Sequence, residues 1–113
     1  MVTKEQLTNA LIARHGAENQ QILARATVGI AGLGGLGSHI AVSLARLGVG
    51  HLVLADFDTV DITNLNRQHY FLRHLGRPKA EALYEQLADI NPYQHYIART
   101  VRVTADNACT LFA

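Results

Sequence analysis

The sequence is poor in residues that staple a fold or stack on a base. It has 1 cysteine, which excludes an internal disulfide and a multi-cysteine zinc site. It has no Trp and only 4 Tyr and 3 Phe, too few for a platform that stacks single-stranded nucleic acid. Charge of one sign is missing as well. Lys plus Arg is 10 and Asp plus Glu is 9, so the net charge of +1 lacks the basic excess of a dedicated nucleic-acid binder. No apolar stretch follows Met1-Val2-Thr3-Lys4-Glu5-Gln6, so no signal peptide is read. No uncharged run is long enough to span a bilayer. These absences lead us to expect a cytoplasmic protein with neither nucleic acid nor membrane as partner.

What is present is a globular pattern. The apolar share is 49% and the charged share 17%, and 113 residues make room for one domain. The first 25 residues read as a polar helical segment, with Leu7, Ala10 and Leu11 at helical spacing. Residues 26–113 then read as a Rossmann-like half-domain, truncated after its first β-α-β-α-β unit. Thr27 to Ala31 and His51 to Ala55 are short buried strands, and Tyr96 to Val103 is a weaker third one. Leu36, Ile40, Leu44 and Leu47 predict the buried face of the first crossover helix, with Ala41 and Ala45 allowing close packing. Ala80, Leu83, Leu87 and Ile90 predict that of the second, which Pro78 opens and Asn91-Pro92 closes. The polar segment from Phe57 to Gly76 has room for one helical turn, and a last helix is expected from Asp106. The expected class is α/β, a parallel Rossmann-like sheet with N-terminal helices.

Between the first strand and its helix stands Gly32-Leu33-Gly34-Gly35-Leu36-Gly37, a G-x-G-x-x-G turn in the context that gives the motif meaning. Gly32 allows the tight turn, Gly34 lets a phosphate approach backbone, and Gly37 lets helix and strand pack closely. The helix start offers free N–H groups and a positive dipole end to an anion. Asp56 follows the last glycine by about 20 residues, at a strand end, where a carboxylate reaches ribose hydroxyls. NAD, FAD and ATP all satisfy this pattern.

The segment after Asp56 carries more. Asn64, Asn66 and Gln68 surround Arg67, and Lys79 follows at a helix start. A redox cofactor leaves an Arg, a Lys and several amides without a task. A triphosphate uses them, since two cations offset the charge that grows in phosphoryl or nucleotidyl transfer. Gly32–Gly37, Asp56-Phe57-Asp58, Asn64-Leu65-Asn66-Arg67-Gln68 and Gly76-Arg77-Pro78-Lys79, in this order, resemble the ThiF/MoeB/HesA group. That group comprises ubiquitin-activating-enzyme-like adenylyltransferases acting on sulfur-carrier proteins. The resemblance covers about Ala26 to Pro92, and the Asn64–Gln68 wording with Tyr70-Phe71 is most similar to the ThiF-like branch of thiamine synthesis.

The resemblance implies that a carrier-protein carboxylate attacks the α-phosphate of ATP to give an acyl-adenylate and pyrophosphate. It implies nucleotide contacts from Gly32, Gly34, Gly35, Gly37, Asp56, Asp58, Asn64, Asn66 and Gln68, with Arg67 and Lys79 as the catalytic cations. It further implies ATP and magnesium, with the family's magnesium-binding Asp downstream of this region, a ubiquitin-like sulfur-carrier protein as partner, and a homodimer. Some relatives insert an arginine from a partner's N-terminal segment, for which Arg14 or Arg25 is a candidate. No residue set here is read as a metal site. Cys109, His39, Arg73 and Arg77 are read as incidental or solvated, and His69 and His74 as lying on different faces. A nicotinamide or flavin oxidoreductase domain and a non-catalytic adenine-nucleotide sensor remain the alternatives.

Overall fold

The computed structural model describes residues 1–112. Its helices and strands, in chain order, are α1 (Lys4–His15), α2 (Ala17–Arg25), β1 (Thr27–Ala31), α3 (Gly35–Leu47), β2 (His51–Ala55), α4 (Lys79–Ile90), β3 (His95–Arg99) and α5 (Ala108–Phe112). Three parallel strands form one open sheet in the order β1-β2-β3. Parallel strands need crossovers, and α3 and α4 supply them. The α/β class with N-terminal helices is therefore as expected.

Side chains alternate across a strand, and the two sheet faces differ accordingly. Val28, Ile30, Leu52, Leu54, Tyr96 and Ala98 face one cluster with α3 and α4, in which Leu52, Leu54, Leu83 and Leu87 are wholly buried. Burying each of those leucines contributes about 1.5–3 kcal/mol. Gly29 belongs to the opposite face, where the ring of Phe112 from α5 occupies the place a Cβ would take. The expected stripe of α4 is buried at Ala80, Leu83 and Leu87.

The stripe expected of α3 is buried only in part: Leu44 packs against the core and Ala41 and Ala45 lie in it as expected. Ser38, Ala41, Val42 and Ala45 face the core, while Leu36 is 77%, Ile40 39% and Leu47 45% exposed. Small side chains let α3 lie close to the sheet and to α4, and that close approach outweighs the larger apolar stripe. The third strand also differs, running His95–Arg99 rather than Tyr96–Val103. β2 has five residues, its last, Ala55, pairs with Arg99, and Asp56 N–H then donates to the Arg99 carbonyl to close the ladder. The last helix starts at Ala108, two residues later than Asp106. The long polar segment holds two 3₁₀ turns, Ile62–Asn64 and Leu72–His74, rather than one.

The N-terminal helices pack at the start of the strands, away from the glycine turn. Thr3 caps α1 reciprocally with Gln6, and Gly50 N–H donates to the Leu23 carbonyl at 3.0 Å. β1 stands at the outer edge of the sheet, paired only with β2 among the described residues.

Two glycines of the turn have different reasons to be glycine. A Cβ on Gly37 would sit 1.9 Å from the Gly32 carbonyl oxygen, whereas one on Gly35 would meet only Arg67 atoms at 3.8 and 3.9 Å. Gly37→Ala should lower stability by about 1–3 kcal/mol, because backbone must move to make room. Gly35→Ala should be neutral or stabilising by up to about 1 kcal/mol, the helix-propensity gain of Ala. Urea denaturation of the two variants beside the parent chain measures the contrast, and equal losses would contradict it.

Candidate functional site

The carboxyl ends of parallel strands open onto a crevice where such sheets bind ligands. Here β1 runs into Gly32, whose φ of 87° lies in the left-handed region, and its N–H donates to the Ala55 carbonyl at 2.9 Å. The chain then enters α3 with Gly34 as N-cap and no side-chain cap, so the first N–H groups of this 13-residue helix are left to a ligand. Asp56, 8% exposed, crosses beneath the turn. Its Oδ2 accepts the Leu33 N–H at 2.7 Å and its Oδ1 the Asp58 N–H at 2.8 Å. Each oxygen keeps a lone pair for a further donor.

The segment from Phe57 to Gly76 folds back through an antiparallel bridge between Thr59 and Pro78. That bridge brings the start of α4 to Asp58, whose carbonyl accepts the Lys79 N–H at 2.9 Å. Lys79 is 6% exposed, and among the described residues its ammonium has no hydrogen bond or ion pair. It also stands at a helix N-terminus, the end at which positive charge is disfavoured. Its nearest electrostatic signature is on Asp61, whose carboxyl is held below the usual range mainly by the Thr63 hydroxyl and slightly by Lys79.

Arg67 and Gln68 come to the other side of the turn. Gln68 Nε2 lies 3.6 Å from the position of a Cβ on Gly34, and Arg67 borders Gly35. Gln68 is buried, and its Oε1 has no partner among the described residues. The Arg67 guanidinium rests on the Thr63 carbonyl at 3.0 Å and Asn66 Oδ1 at 3.2 Å, and remains exposed. Asn64 Oδ1 accepts the Asp61 N–H at 2.9 Å. Asn64 and Asn66 thus spend their oxygens on the loop and on Arg67, leaving their amide N–H groups available.

Several residues that hold this loop escaped the sequence reading. Tyr70 donates its hydroxyl to the Leu33 carbonyl at 2.6 Å, and burial with the nearby Asp56 charge pushes its pKa upward. Ser38 accepts the His69 N–H at 3.1 Å while donating to the Gly34 carbonyl. Gln86 bonds His69 twice, at the ring Nδ1 and at the carbonyl. His74 is fully buried, accepts the Phe71 N–H at Nδ1, and burial holds its pKa below the ordinary value. His39 is exposed as expected, and its ring also meets the Arg67 carbonyl at 3.1 Å. No spacing rule singles out Tyr70, Ser38 and Gln86, whose contacts with Leu33 and His69 span 17 to 37 residues. Cys109 is an exposed free thiol and Arg77 pairs with Glu85.

Above Asp56 lies a cavity of about 420 Å³, lined by Gly32, Asp56, Asp58 and the segment Val101 to Val103. An ammonium without a hydrogen bond or ion pair among the described residues, an uncapped helix N-terminus and an open crevice fit a nucleotide phosphate and ribose. Among the described residues no group of three His, Cys, Asp or Glu side chains stands together.

The chain belongs to the ThiF family, whose match covers residues 7–113. It is 48% identical over 84 residues to the tRNA threonylcarbamoyladenosine dehydratase of Bacillus subtilis, covering 74% of this chain and 33% of that protein. It is 36% identical over 111 residues to the sulfur carrier protein adenylyltransferase of Thermus thermophilus, covering 94% of this chain and 41% of that one. The crystal structure of Escherichia coli tRNA N6-threonylcarbamoyladenosine dehydratase in complex with ATP superposes with a TM-score of 0.87 at 34% identity, covering 97% of this chain and 46% of that one. The chain therefore spans less than half the length of these relatives. Among the described residues no helix is long and apolar enough to cross a membrane.

Asp56→Ala should cost folding stability as well as any ligand. Two backbone N–H groups lose their acceptor, and a buried unsatisfied donor costs about 1–3 kcal/mol. A lowered midpoint in chemical denaturation is expected, with Asp56→Asn intermediate because its amide oxygen retains one acceptance. An Ala variant as stable as the parent would show that water replaces the carboxylate.

Proposed function

We propose that this chain provides the ATP-binding part of an adenylate-forming enzyme. In this reading the ribose hydroxyls lie over Asp56, and the phosphates over the start of α3 at Gly34 and Gly35, with Gly32 and Gly37 shaping the turn. Asp58, Asn64, Asn66 and Gln68 border the nucleotide with their remaining donors and acceptors. A carboxylate oxygen of the acceptor attacks the α-phosphorus, the bond to the bridging oxygen of pyrophosphate breaks, and an acyl-adenylate forms. The acceptor is already ionised at neutral pH, so no side-chain nucleophile is needed. Arg67 and Lys79 stabilise charge at the α-phosphate and on the departing pyrophosphate.

The observation that carries the reading is the Lys79 ammonium, 6% exposed, unpaired among the described residues and placed at a helix N-terminus. A cation with no hydrogen bond or ion pair, held at the helix end that favours negative charge, is available to a bound anion. We further propose magnesium as the companion of ATP, held chiefly by groups outside this chain, and the cytoplasm as the compartment.

For the acceptor we propose the C-terminal carboxylate of a ubiquitin-like sulfur-carrier protein, which the similarity to the Thermus thermophilus adenylyltransferase supports. Thiamine synthesis is one setting for such a carrier. The similarity to the Bacillus subtilis and Escherichia coli dehydratases favours a second reading, in which threonylcarbamoyladenosine of tRNA replaces the carrier. That reading would overturn the expectation, drawn from a net charge of +1, that no nucleic acid is a partner.

Pyrophosphate–ATP exchange in a family-length enzyme carrying this chain tests both. Exchange stimulated by a carrier ending in Gly-Gly supports the first, and turnover of modified tRNA without a carrier supports the second. Lys79→Ala and Arg67→Ala should each slow the reaction by about 100- to 1000-fold while weakening ATP binding far less, as for groups that act in the transition state. Near-normal rates in both variants would remove them from the chemistry.

Self-association is part of this proposal. β1 pairs only with β2 among the described residues, and a free edge of this kind templates pairing with another chain. Expressed alone, the 113-residue chain should form a dimer through that edge. Light scattering at low micromolar concentration measures this, and a monodisperse monomer with fast-exchanging Val28 and Ile30 amides would contradict it.

A further inference from the structure

One pair of side chains in the crevice has no part in the chemistry above. Phe57 directly follows Asp56, and its ring is 48% exposed. Arg102 lies beyond β3, on the segment that leaves the sheet once the ladder closes. Its guanidinium carbon stands 4.2 Å from the centroid of the Phe57 ring. Both residues line the same cavity as Gly32 and Asp56. Among the described residues the guanidinium makes no hydrogen bond or ion pair, so the ring face is its one hold.

Location separates this arginine from the phosphate side. Arg67 and Gln68 pack beside Gly35 and Gly34, at the start of α3, and do not line the cavity over Asp56. A nucleotide whose phosphates lie at α3 and whose ribose lies over Asp56 must carry its base onward, past Asp56. The groups waiting there are a flat aromatic ring and a flat cation. Arginine stacks on aromatic faces, and its long side chain is free to swing away and close again.

We propose that Phe57 and Arg102 form a clamp for the nucleotide base. The base enters between the two planes, the guanidinium closing over one face and the phenyl ring supporting the other. The pair reads the π-face of a base rather than its hydrogen-bonding edge, so it holds a purine nucleotide without choosing between purines. The inference rests on the ATP reading of the same crevice and names the residues that hold its base end.

Calorimetric titration of the chain with ATP and, separately, with inorganic tripolyphosphate tests the clamp. Arg102→Ala and Phe57→Ala should each weaken ATP by about tenfold, the usual order for losing one stacking partner, and leave tripolyphosphate unchanged. Arg102→Lys should stay weak, because a compact ammonium offers no plane to the base. Both side chains are exposed, and unchanged circular dichroism would show that the fold is intact. Tripolyphosphate weakened as much as ATP, or full rescue by lysine, would make Arg102 a phosphate ligand and overturn the clamp. Unchanged ATP affinity in both alanine variants would also overturn it, while leaving the ATP reading in place. Failure of the unsubstituted chain to bind ATP would overturn the reading and the clamp together.

Discussion

The Asp56 carboxylate is the point on which the crevice turns. One oxygen takes the N–H of Leu33 inside the glycine turn, and the other takes the N–H of Asp58 where the long loop departs. A single buried anion thus ties the end of β2 to the turn after β1 and to the loop that carries Arg67. Charged hydrogen bonds of this kind are about twice as strong as neutral ones. They also fix direction, since a carboxylate offers acceptors in one plane. The glycine turn and the loop are therefore held in register before any ligand arrives.

A second layer of polar contacts stiffens that arrangement. Tyr70 holds the Leu33 carbonyl from the side opposite Asp56, so Leu33 is gripped at both its N–H and its C=O. Ser38 links the turn to His69, and Gln86 reaches from α4 to the same histidine. Buried networks of this sort are stabilising only when their members are satisfied. Here Tyr70, Ser38 and Gln86 have partners, while Gln68 Oε1 beside the crevice and Nε2 of the buried His74 do not.

The exposed stripe of α3 and the bare edge of β1 belong together. Both are apolar or hydrogen-bonding surfaces that a lone three-stranded unit does not cover, and the chain spans only 46% of the dehydratase structure it superposes on. The core is correspondingly one-sided. α3 and α4 fill one face of the sheet, whereas the other face has Phe112 against Gly29.

Much of the fold was legible in the residue pattern, because β1, β2 and α4 announce themselves by local periodicity and by glycine and proline punctuation. The glycine turn, Asp56 and the cluster Asn64 to Lys79 were legible for the same reason: their chemistry is unusual at that spacing. Tertiary structure alone decided that Leu36, Ile40 and Leu47 of α3 stay exposed. Helical spacing counts apolar residues, but close packing against a sheet rewards the small ones, Ser38, Ala41 and Ala45. It alone decided that β3 stops at Arg99, since a strand ends where its neighbour has no more partners to offer. It also brought Tyr70, Ser38 and Gln86 to the turn, and Arg102 to Phe57. Those contacts join positions from 17 to 45 residues apart, and no local sequence rule reaches across such a span.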